Sequence, residues 1–133
     1  MSTFMYPVRL QIVDDSKSFT VEPVGEAKAQ LTQLWVMCFQ PDETHKTFDI
    51  LAGESPTCVP GLQNVKFPEG YIVATNMGSV TGTLFIRVYD DTGTELYYGE
   101  LDGVAPGESI SNTGFYTDMP DRPYTITVEV GHK

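Results

Sequence analysis

Three carboxylates lie close together at Asp90, Asp91 and Glu95, and a fourth, Asp102, would have to approach from elsewhere. Oxygen-rich clusters of this kind can hold calcium, which takes several carboxylate and carbonyl ligands at one site. The spacing is not that of an EF-hand. Asp-Asp-Thr-Gly at a hairpin also has a simpler role, because an Asp side chain bonds the amides of its own turn. The turn role is the one expected here, and no metal or other cofactor is expected. His45 follows Asp42-Glu43-Thr44 in a polar stretch, and His132 stands near the end of the sequence. Neither has a sequence neighbour that would make it a general base. No Ser occupies a G-x-S-x-G elbow, and no phosphate-cradling glycine motif occurs. A glycosidase pair could be chosen at will from so many carboxylates, so that choice carries no information. The expectation is a protein without catalytic residues.

Recognition chemistry is better represented. Tyr89, Tyr97, Tyr98, Phe115, Tyr116 and Tyr124 crowd the second half. Consecutive residues on a strand point to opposite faces, so one of Tyr97 and Tyr98 must leave the core. Exposed Tyr suits protein interfaces and carbohydrate platforms. The bland alternative is a ring lying along the core margin with only its hydroxyl in water. Arg122 sits between Pro120 and Pro123 in a stiff loop that could present it to a partner, or let it pair with Asp118 or Asp121. Tyr97, Tyr98, Tyr116 and Arg122 are therefore the candidate interaction surface.

These side chains need strands to carry them. Leu84, Ile86 and Val88 alternate with Thr83, Phe85, Arg87 and Tyr89, which is the period of a strand with one buried face. Asp90-Asp91-Thr92-Gly93-Thr94 is turn chemistry, and Glu95 to Leu101 should return from it. Ala105-Pro106-Gly107-Glu108 is a second turn, and Ile110 to Tyr116 a further strand. Tyr124, Ile126, Val128 and Val130 alternate with Thr125, Thr127 and Glu129 in the cleanest strand. Tyr71 to Ala74, Phe48 to Leu51 and Val65 to Phe67 are shorter strands. Segment 26–40 is ambiguous. Leu31, Leu34, Trp35 and Cys38 fit helical spacing, yet the surrounding β pattern tips the reading to strand. Tyr6 to Asp14 and Phe19 to Glu22 read as strands joined by Asp14-Asp15-Ser16-Lys17-Ser18. Short strands separated by turns at this interval define a β-sandwich or barrel.

Asn76-Met77-Gly78, Val88-Tyr89-Asp90-Asp91-Thr92-Gly93, Val104-Ala105-Pro106-Gly107-Glu108-Ser109 and the Tyr124–Val130 strand recur in this order in a known family. The stretch from Tyr71 to Gly131 resembles the immunoglobulin-like modules typified by the bacterial cell-adhesion-related domain. The resemblance implies an all-β, immunoglobulin-like antiparallel sandwich with no catalytic residues. Residues 1–25 are expected as an extended N-terminal arm able to pair with a neighbour's sheet edge, and residues 26–133 as the sandwich.

The 133 residues carry 18 acidic and 8 basic side chains, a formal charge of −10. That excludes nucleic acid as the expected partner, since phosphate binding needs clustered Lys and Arg. It also argues against an anionic membrane surface, and no apolar run reaches the roughly 20 residues of a membrane span. Nine of the 18 acidic residues lie from Asp90 onward, against Arg122 and Lys133, so the less acidic first half is the expected contact side. Met1 to Pro7 does not read as a secretory leader, which favours a cytosolic site of synthesis. In that compartment Cys38 and Cys58 are expected as thiols, with a disulfide as the other option.

The function expected is that of a non-enzymatic structural protein of a virion, a capsid decoration or minor capsid component assembled in the host cytoplasm. Its partners would be copies of itself or a capsid shell. The alternative is an extracellular or cell-surface accessory module that binds carbohydrate.

Overall fold

A computed structural model describes residues 25–133. The expected N-terminal arm lies outside the described residues, apart from Gly25. Nine strands are present, with no helix among the described residues: β1 (Ala29–Phe39), β2 (His45–Asp49), β3 (Gly61–Phe67), β4 (Ile72–Asn76), β5 (Gly82–Asp90), β6 (Glu95–Val104), β7 (Ser109–Ser111), β8 (Phe115–Met119) and β9 (Ile126–His132). All pairings are antiparallel. The expected all-β sandwich is the fold.

Register shows that two pairs of short strands are single strands with a break. Cys38 pairs Val65 and Met37 pairs Lys66, and then Leu34 pairs Ile72 and Gln33 pairs Val73. β3 and β4 therefore run in line along one side of β1, interrupted at Pro68–Tyr71. Opposite them, Phe67 pairs Phe115 and Val73 pairs Ser111, so β7 and β8 run in line along the far side. The first sheet is thus four strands wide, in the order β2, β1, β3/β4, β7/β8. The second has three, in the order β6, β5, β9.

The break is held by Asn112, which is buried. Its side-chain amide donates to the carbonyls of Phe67 (3.1 Å), Pro68 (3.1 Å) and Thr113 (2.7 Å). Its side-chain oxygen accepts from the Ile72 amide at 2.7 Å. One asparagine so replaces the ladder bonds that the kinked backbone cannot make, as buried peptide groups require. Asn76 does similar work at the crossing from β4 to β5. Its side chain accepts from the Lys28 and Gly78 amides and donates to the Val80 and Val104 carbonyls.

The core lies between the sheets and is built from alternate residues: Leu34, Val36 and Cys38 of β1, Leu84, Ile86 and Val88 of β5, and Ile126, Val128 and Val130 of β9. Segment 26–40 is strand, as the β context indicated. The register of β1 against β4 shifts between Leu31 and Gln33. That bulge spends an extra residue between Leu31 and Leu34, so both reach the core three positions apart and imitate helical spacing.

Cys38 and Cys58 are joined in a disulfide, with Cα atoms 4.9 Å apart. This corrects the expectation of thiols. The chain between β2 and β3 returns along the end of β1, where Val59 donates to the Phe39 carbonyl and Gln40 to the Thr57 carbonyl. That return brings the two cysteines within bridging distance.

Candidate interaction surfaces

Alternation sorts the four candidate residues onto different surfaces. Tyr97 turns inward and stacks on Phe115 at 4.9 Å, and Phe115 stacks on Phe67 at 4.6 Å. The three rings form a pile between the sheets, so Tyr97 lies at the core margin. Its hydroxyl accepts from the Thr113 amide at 3.2 Å. Tyr98 turns out onto the exposed face of the second sheet. Tyr116 turns out onto the exposed face of the first and is 56% exposed. Arg122 pairs neither with Asp118 nor with Asp121. It forks onto Asp91, at 2.6 and 3.3 Å, and its guanidinium lies 5.7 Å from the centre of the Tyr124 ring. Asp118 accepts instead from the Gln63 amide at 2.6 Å.

The carboxylates near Asp90 do not converge. One Asp90 oxygen accepts from the Thr92 amide (2.9 Å), the Thr92 hydroxyl (2.7 Å) and the Thr94 amide (3.0 Å). Burial pushes this carboxyl up, but those bonds outweigh it and hold it below the ordinary Asp value. The Arg122 bond holds Asp91 low. Gly93 takes φ +87°, which a side chain would strain, and closes the turn by donating to the Asp90 carbonyl. Asp102 accepts from the Thr83 hydroxyl. Among the described residues no three His, Cys, Asp or Glu side chains form a metal-binding group. His45 opens β2, with its ring 5.4 Å from that of Phe39.

The exposed face of the second sheet is polar and acidic. It carries Glu95, Glu100, Asp102 and Glu129 against Arg87 and Lys133, while Asp90 pairs buried Ile126 and shares its side of the sheet. Tyr98 stacks on Phe85 at 6.0 Å, Arg87 lies over both rings, and the Tyr98 hydroxyl donates to Glu100 at 2.6 Å. That bond, together with burial, raises the phenol above its ordinary value. Lys133 reaches Glu100 at 2.7 Å and, with Tyr98, holds it low.

The exposed face of the first sheet is different. Its strands hold two acids, Asp49 and Asp118, against two lysines, Lys46 and Lys66. Leu34 and Val36 point inward, so Trp35 and Met37 point out and stay half-buried. Tyr71 packs edge-on to Trp35 at 6.4 Å, and Val73 faces out between buried Ile72 and Ala74. Lys66 pairs Met37 on one side and Tyr116 on the other. An apolar, aromatic row therefore crosses a face of balanced charge. Sequence reasoning missed Trp35 and Met37, because the bulge in β1 hides the period that assigns them to one face, and Val73, because its face is set by pairing with β1.

The fold and its surfaces define an antiparallel β-sandwich with one acidic and one apolar-aromatic face. No family model, curated protein or solved structure matches this chain.

Proposed function

We propose that this protein is a non-enzymatic structural component that assembles through the exposed face of its first sheet, and that its place is a virion, as a capsid decoration or minor capsid subunit. The observation that carries the reading is the contrast between the two faces. The strands of one sheet have balanced charge and present Trp35, Met37, Tyr71, Val73 and Tyr116. The exposed face of the other carries four carboxylates, Glu95, Glu100, Asp102 and Glu129, against Arg87 and Lys133. Interface cores are enriched in aromatic residues and Met and depleted of charge. An acidic face opposite keeps an assembled surface soluble and resists further association. Self-association through a sheet face builds closed, symmetric assemblies when both partners use the same patch. A sandwich displayed outward on a shell needs this division of labour.

The test is the size of the full-length protein in solution, by sedimentation, across a concentration series. The wild type should self-associate, and Met37→Glu and Tyr116→Glu should each shift it toward monomer with a melting point little changed. A wild type that stays monomeric at high concentration, and does not bind assembled shells, would overturn the proposal.

A second reading rests on the Phe85–Tyr98 pair, whose flat rings beside Glu100 resemble a sugar-stacking platform. Glycan-array binding lost in Tyr98→Ala would select this reading over assembly.

A further inference from the structure

β3 does not pair evenly with β8. Gly61 pairs Met119 and Val65 pairs Thr117, so three residues, Leu62, Gln63 and Asn64, stand opposite Asp118 alone. This bulge costs stability in two ways. Gln63 takes φ +57°, in the left-handed region that residues other than Gly, Asn and Asp rarely adopt. Asn64 is buried, and among the described residues its side-chain oxygen has no hydrogen-bond partner. Asp118 holds the bulge by accepting from the Gln63 amide at 2.6 Å. The bulge leaves Leu62 held out in solvent, 74% exposed. Strain of this kind collects at functional positions, and β-bulges serve to re-aim a side chain.

The surroundings of the bulge form a rectangle on two neighbouring strands. Lys66 and Tyr116 are register partners, and two residues further along β8 Asp118 faces the bulge. Lys66 lies between buried Val65 and Phe67, while Tyr116 and Asp118 are the exposed residues of β8. All three side chains therefore share the exposed face of the first sheet. Among the described residues neither Lys66 nor Asp118 forms an ion pair. A two-fold axis through the centre of the rectangle, perpendicular to the sheet, exchanges its diagonals. It sets Lys66 of one copy against Asp118 of the other, and the bulge of one against Tyr116 of the other. Each contact then occurs twice.

We propose that Leu62 anchors a two-fold contact between two copies of this chain, packing on Tyr116 of the second copy while Lys66 pairs with that copy's Asp118. The inference rests on the assembly reading above and adds to it the axis and the contacts. The charges select a second copy as the occupant. A chain of formal charge −10 repels its own kind except where charge is balanced. Here one lysine and one carboxylate lack an ion-pair partner in each copy, and they complement each other across the axis. Leu62 and Tyr116 are both exposed large apolar side chains, and the same axis covers them together.

The test is the dimer dissociation constant of full-length variants, by sedimentation equilibrium, with melting points recorded alongside. Leu62→Ser should weaken association at least about tenfold, since each dimer loses two buried leucines, with little change in melting point. Met77→Ser, which alters an apolar side chain 57% exposed in the turn after β4, should leave association unchanged. Asp118→Asn keeps an oxygen for the Gln63 amide and removes the charge. It should weaken association in wild type, yet strengthen it in Lys66→Glu, where two carboxylates would otherwise face each other. A wild type that associates while Leu62→Ser associates as tightly, or in which Asp118→Asn tightens association, overturns the two-fold contact and leaves the assembly reading standing. A wild type that stays monomeric overturns both.

Discussion

Asn112 and Ile72 exchange hydrogen bonds across the break in the first sheet. The Ile72 amide donates to the Asn112 side-chain oxygen at 2.7 Å, and the Asn112 amide donates to the Ile72 carbonyl at 3.1 Å. The side chain thus stands in for a carbonyl that the kinked backbone has turned elsewhere. Asn112→Leu keeps the size but leaves the Ile72 amide and the Phe67 and Pro68 carbonyls short of a partner. Each unsatisfied buried group costs about 1–3 kcal/mol. The expected loss in chemical denaturation is about 3 kcal/mol, with Asn112→Ser recovering little.

The ring pile predicts a graded series. Phe67 is fully buried under Phe115, so Phe67→Ala should cost about 3–5 kcal/mol through lost burial and a cavity. Tyr97→Phe keeps the stack and removes the bond from the Thr113 amide, and should cost no more than about 1 kcal/mol. Urea melts of both variants check the order.

The disulfide closes a loop with a sequence separation of 20. A loop of that length restricts the unfolded chain by about 3 kcal/mol. Reducing agent should lower the melting temperature of wild type, and Cys58→Ser should melt at the reduced value and no longer respond to reductant. Equal melting of wild type with and without reductant would count against the bridge.

Acid should destabilise the protein through the hairpin at Asp90 and Asp91. Both carboxyls are held below their unfolded value of about 3.9. A carboxyl whose folded pKa is depressed contributes stability above the unfolded value and loses it as pH falls through the folded one. Melting temperature should therefore fall below about pH 4. Asp91→Asn, which removes the carboxylate facing Arg122, should lower the melting point at pH 7 and flatten the acid slope. An unchanged slope would show that the Arg122 pair is not what depresses Asp91.

The alternation of residues 83–89 and 124–130, and the turn chemistry of Asp90–Thr94 and Ala105–Glu108, are properties of a few neighbouring residues. They were readable without the fold: β5 and both turns lie where that reading put them, while β9 starts at Ile126 instead of Tyr124 and runs on to His132. The opposite facing of Tyr97 and Tyr98 was readable for the same reason. Which of the two faces the core was not, because that depends on Phe115, which lies in a strand of the other sheet.

By itself, the sequence determined an all-β chain, its acidic second half and a fold of antiparallel strands, because period-two burial and turn residues act over short distances. Tertiary structure decided what depends on residues far apart in the chain. It fused β3 with β4 and β7 with β8, since only pairing with β1 and with each other reveals strands in line. It joined Cys38 to Cys58 and set Arg122 on Asp91, 31 positions away. It gathered Trp35, Met37, Tyr71, Val73 and Tyr116 onto one face, through a bulge and a register that no local pattern encodes.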